Sequence, residues 1–208
     1  MNTSATRWLP LTGILSILII VGAILLGEPP DASHSPEEIV DFYVDNGDKL
    51  KYATPAFILA LVLFVSFGSY LRAVLDRGEG STGISSRIAF AGTVIFAVGG
   101  AIDATIQASI IEAVDDLEPT QVQTLQALWD NDWVPLQVGI TMFILASGIS
   151  IVRHKSLPVW LGWTAVVIGV VGLTPVGWFA FMATGIWILI VSVMLLMSEG
   201  KAATPVVE

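Results

Sequence analysis

"IAFAGTVIFAVGGAIDATIQASII", residues 88–111, decides what kind of protein this chain is. A membrane-spanning helix needs about 20 mostly apolar residues, and this stretch is longer than that with a single formal charge, Asp103. Five further runs of the same kind flank it: 8–26 and 53–75 before it, and 134–152, 157–174 and 176–197 after it. The 208-residue chain is 54% hydrophobic and 13% charged, with a mean hydropathy of +0.79, well outside the range of a soluble domain. The expected fold is therefore all-α: a polytopic membrane protein with six transmembrane helices in one domain over residues 1–208, in contact with the lipid bilayer.

Several local signals set the boundaries. The first run reads as a retained helix, because Leu9–Leu26 exceeds the ~7–15 apolar residues of a secretory signal and no small-x-small site precedes Glu28-Pro29-Pro30. Proline is tolerated in a first helical turn, where its missing N–H would have had no partner. Pro10, Pro55, Pro135, Pro158 and Pro175 fall at or near the starts of runs, and Ser85-Ser86 offers hydroxyl caps to the third.

The distribution of lysine and arginine gives the orientation, since cytoplasmic loops retain positive charge. Arg7, Arg72, Arg77, Arg87, Arg153, Lys155 and Lys201 fall on one side and only Lys49 and Lys51 on the other, which predicts cytoplasmic N and C termini in a plasma membrane. The net charge of −9 then belongs to an acidic outer face, and a basic footprint for nucleic acid is missing.

Two loops on that outer face carry helix signals. Ser35 and Glu38 form a capping box with Pro36 in the first turn, Ile39, Val40, Phe42 and Tyr43 follow, and Asn46-Gly47 reads as a stop. Pro119 opens a second segment in which Val122, Leu125, Leu128 and Trp129 recur at helical spacing. Both are expected to be short amphipathic helices in extracytoplasmic loops. The turns at Arg153–Leu157 and around Pro175 are short, so the last three spans should be antiparallel neighbours.

The residue inventory excludes several chemistries. The absence of cysteine removes thiol relays and thiolate metal sites. His34 and His154 lie in opposite loops, which gives no support to a bis-histidine haem or a serine–histidine pair, and no lysine lies mid-span. No nucleophile–base pair can be assembled, so no enzymatic activity, no cofactor and no metal site is expected.

Asp103 still needs an explanation, because a charged group at the centre of a span costs about 2.5–3.5 kcal/mol even on the lenient insertion scale. Phe96, Gly99, Gly100, Asp103 and Gln107 recur three or four residues apart and should face the bundle interior. Gln137 enters the fourth run at a similar depth, so Asp103, Gln107 and Gln137 form the candidate polar intramembrane site. In one reading Asp103 is a neutral acid that hydrogen-bonds Gln137 or a carbonyl and pins two helices. In the other a water-filled cavity reaches it, and it binds a cation or relays a proton. Trp187 lies near the midplane of the sixth run, where its indole N–H needs a partner.

The segments "EEIVDFYVDNGDKLKYA" (37–53) and "FVSFGSYLRAVLDRGEG" (64–80) resemble a pattern found in six-span integral membrane proteins of actinobacteria and related prokaryotes whose activity is not established. The resemblance implies a prokaryotic plasma-membrane protein and transfers no site residue. The leading expectation is a non-enzymatic structural or accessory component that packs with a membrane-protein partner or with further copies of itself. The alternative is a small cation- or proton-coupled transporter or channel-like unit using Asp103. A cavity reaching Asp103 favours the alternative, and an aspartate sealed by its neighbours favours the first.

Overall fold

The computed structural model describes residues 8–25, 27, 29–80 and 83–202. Arg7, Leu26, Glu28 and Ser81-Thr82 lie outside the described residues, as does the side chain of Lys201. Among the described residues seven helices follow in order: α1 (Leu9–Ile24), α2 (Pro36–Glu79), α3 (Ile84–Ala113), α4 (Pro119–Asp130), α5 (Trp133–His154), α6 (Val159–Val171) and α7 (Gly177–Ala202). No strand occurs among the described residues.

Among the described residues four helical stretches are long and apolar enough to cross a membrane: Pro36–Glu79, Ile84–Ala113, Pro119–His154 and Gly177–Ser198. The first and fifth runs are apolar but form shorter helices, of 16 and 13 residues. Many large apolar side chains face outward along the bundle, among them Leu18, Val62, Val98, Val167 and Ile186. An apolar surface of that extent is unsustainable in water and marks a membrane protein.

The segment before the second run differs from expectation. The capping box forms as read, with the Ser35 hydroxyl accepting from the Glu38 amide and Pro36 in the first turn. The helix it starts does not stop at Asn46-Gly47, however. It runs on through Pro55 to Glu79 for 44 residues, about 66 Å at 1.5 Å per residue. Gly47 keeps a negative φ, and the Asn46 side-chain amide donates back to the Phe42 carbonyl at 2.9 Å, inside the helix. Ile39, Tyr43 and Leu50 on one face are buried against Ile110 and Ile111 of α3 and Val122 of α4. That burial holds the helix through its local stop signals. Only α4 is a separate short helix, capped by Glu118 and Gln121 and joined to α5 by a two-residue turn.

The chain thus has two cores. The larger one fills the bundle, where Phe64 meets Phe96 and Phe143 edge-on at 5.0 and 5.4 Å, and Phe143 meets Trp187 at 6.0 Å. The smaller one, from α2, α3 and α4, builds a head at the acidic end. Close approach of α3 and α5 depends on Gly92 and Gly139, each of which faces backbone of the other helix. The short turn at 155–158 sets α5 and α6 against each other at Gly148 and Gly162, as the loop length predicted.

At the opposite, basic end the cap of α3 also differs from expectation. Its N-cap is Gly83 at φ +41°, and the orphan amide of Ser86 is satisfied by the Glu79 carboxylate at 3.0 Å, reaching over from α2. The Ser86 hydroxyl lies within hydrogen-bond reach of Gly83 O and of the carboxylates of Asp76 and Glu79, so its one proton ties two helices together instead of serving only a local cap.

Candidate functional site

Asp103 is on α3 where the bundle meets the head, and it is partly buried. Two cavities flank it. The larger, about 550 Å³, is lined by Asp31, Asp103, Asp130 and Asp132 together with Phe57, Trp129, Trp133, Trp178 and Phe181. The smaller, about 130 Å³, shares Phe57, Asp103 and Trp129 with it and adds Gln107, Thr54 and Leu50. Asp103 and Gln107 are therefore brought together, as their spacing of four on one helix required.

Gln137 is not part of this arrangement. Its side-chain amide donates to the Gly172 carbonyl at 2.8 Å and to the Thr141 hydroxyl at 3.2 Å, and it lines an adjoining cavity with Gly172 and Gly177 that shares Trp133, Leu136, Trp178 and Phe181 with the larger one. Similar depth on α3 and α5 did not imply a shared direction, because the glycine contact turns the Gln137 face of α5 toward α6 and α7. Gln137 instead secures the end of α6, where the helix gives way to tighter turns.

The walls come from elements outside the expected polar site. A chain of hydrogen bonds organises them: the Tyr43 hydroxyl donates to Gln126 Oε1 at 2.7 Å, Gln126 Nε2 donates to Asp130 Oδ1 at 2.9 Å, and the Ala32 amide donates to Asp130 Oδ2 at 2.7 Å. Gln123 adds bonds to the carbonyls of Ala32 and His34 at 3.1 and 2.9 Å, so the 31–34 loop is laced onto α4. Asp31 accepts from the Ser33 hydroxyl and amide, and these bonds hold its carboxyl below the ordinary value of 3.8.

Two polar atoms around Asp103 remain unpaired. Trp129 Nε1 approaches the Asp103 carboxylate without reaching hydrogen-bond geometry, and both it and Asp132 Oδ2 are buried without a partner. Phe96 lines the larger cavity and packs edge-on against Phe64, which in turn meets Phe143, so this wall is aromatic. The Trp187 N–H donates to the Leu161 carbonyl at 3.0 Å, which satisfies the need anticipated for it and makes it a core residue. No group of three or more metal-ligating side chains converges among the described residues. No known protein family, curated protein or solved structure matches the chain.

Proposed function

We propose that this chain is a non-enzymatic, six-span protein of the plasma membrane with both termini in the cytoplasm, acting as an accessory component through its acidic head. The observation that carries this reading is the construction of that head. Tyr43 and Gln126 are buried in a dedicated small core, a rigid surface raised on α2 and α4 above the bundle. A membrane-protein partner or a second copy of the chain is the partner such a surface suits.

Six spans are supported by the hydrogen bonds that prolong α6. Leu173 and Thr174 donate to Val170 and Val171, and Gly177 donates to Thr174, so the chain keeps turning between α6 and α7 beyond the short helix itself. The cytoplasmic assignment is supported by Arg72, Arg77, Arg87, Arg153 and Lys155, all at the basic end.

A second reading, uptake of a cation at Asp103, is favoured by the cavity that reaches this residue. Against transport through the bundle stands the lack of any other acid, histidine or lysine in the six apolar runs. The test is proton and monovalent-cation flux in proteoliposomes carrying wild type or Asp103→Asn. The accessory reading expects no flux from either, with the variant folded. Wild-type flux that vanishes in folded Asp103→Asn would replace it with the second.

A further inference from the structure

At the basic end, away from Asp103, an open cavity of about 840 Å³ lies between the end of α2, the α5–α6 turn and the end of α7. Arg77, His154 and Lys155 line its polar rim, and none of the three makes an ion pair with a described residue. No carboxylate lines it among the described residues. Opposite charge is available on the same helix at Asp76, but that carboxylate is engaged by Arg72 at 3.6 Å and by the Ser86 hydroxyl.

Two observations besides the cations point the same way. The hydroxyl of Ser156, in the floor of the turn, is buried with no hydrogen-bond partner. The first turn of α6 begins at Pro158 with no side-chain cap, so the amides of Val159 and Trp160 have no intrahelical acceptor, and Val159 is on the cavity wall. Unsatisfied helix amides favour an anion. Lys155, the only described non-glycine residue with positive φ, at 56°, forms the corner that brings these groups together. Gly78 allows the approach: a Cβ there would lie 3.1 Å from Ser156 and 3.3 Å from His154.

We propose that this cavity binds a phosphate-bearing anion, with Arg77, Lys155 and His154 on the phosphate oxygens, the α6 amides completing the shell and the Ser156 hydroxyl turning out to join it. Its inner wall is apolar, from Val74, Leu157, Met194 and Leu195, which suits the glycerol and upper acyl region of a phospholipid behind the headgroup. Basic pockets between helices at a cytoplasmic membrane surface take anionic headgroups in this way.

The test uses the full chain. Wild type, Arg77→Gln/Lys155→Gln and, as a control for bulk charge at the same end, Arg87→Gln are compared by native mass spectrometry after exchange into micelles doped with phosphatidylglycerol or phosphatidylcholine. In parallel, inorganic phosphate is titrated against thermal stability in plain detergent. A phospholipid ligand predicts retained phosphatidylglycerol at least tenfold above phosphatidylcholine in wild type and Arg87→Gln, lost in the double variant. A free phosphate compound predicts no lipid preference but a saturable rise in melting temperature with phosphate, absent from the double variant alone. Retention and phosphate response that are the same in the double variant as in wild type, or that fall equally in Arg87→Gln, overturn the proposal.

Discussion

The crossing of α3 and α5 offers a strict quantitative test, through Gly139→Ala. A methyl group built on Gly139 would sit 2.3 Å from the Phe96 nitrogen, 2.7 Å from its Cα and 2.8 Å from the Gly92 carbonyl oxygen. All three are backbone atoms, so no rotamer change relieves the clash. Ordinary contact needs about 3.5 Å, so the helices must part locally by roughly 1 Å. Overpacking of this kind costs about 1–3 kcal/mol; with only backbone to displace, the upper end applies. Replacing a helical glycine by alanine returns about 1 kcal/mol. The net loss is about 2 kcal/mol, or roughly 4–8 °C in melting temperature by the scaling for chains of this size. Gly185→Ala is the matched control: its Cβ would meet Ile17 at 3.9 Å, an ordinary contact, so that variant should melt at or above wild type. The assay is thermal unfolding of purified protein in detergent, followed by tryptophan fluorescence. If Gly139→Ala melts with wild type while Gly185→Ala melts lower, the glycine contact is not what sets the α3–α5 distance.

Three other expectations follow from the same geometry. Tyr43→Phe strands the buried Gln126 Oε1 and should cost the head about 1–3 kcal/mol, read as faster hydrogen exchange in α4 with the bundle unchanged. Trp187→Phe removes the bond to Leu161 and leaves a void beside Phe143; about 2 kcal/mol of stability should go, measured by chemical denaturation. Asp31 has a folded pKa below its unfolded one, so the stability it lends the 31–34 loop is complete above the unfolded value of 3.8 and is lost as pH falls through the lower folded value. The Ser33 amide proton, followed by NMR, should therefore keep its shift from pH 7 to about pH 5 and move only in stronger acid.

Hydropathy was enough to locate every apolar stretch, because burial in lipid acts on the composition of a whole run. Direction around a helix was harder to read. Gln137 shares its depth with Gln107 but not its facing, which is set by glycines on two helices at once. In α4 the spacing put Leu128 on the apolar face of an interfacial helix; it is 55% exposed, while Gln126 is buried, because Tyr43 comes from 83 residues away to satisfy the amide. The Asn46-Gly47 stop failed for a similar reason: local chemistry favoured an end, and burial of Tyr43 and Leu50 on either side outweighed it. Asp103 and Gln107 were recognisable as a pair, whereas Asp31, Asp130 and Asp132 reach the same cavity only through folding of the head.

Helix α2 carries Tyr43 in the head and Arg77 at the rim of the basic cavity, 34 residues apart, about 51 Å along one axis. Pro55 lies between them and has no N–H to offer the Lys51 carbonyl, so one rung of the helix ladder is missing near the base of the head. The helix is in effect two stiff rods sharing a single soft joint. Bending of α2 between the head and the bundle is therefore least opposed at this point.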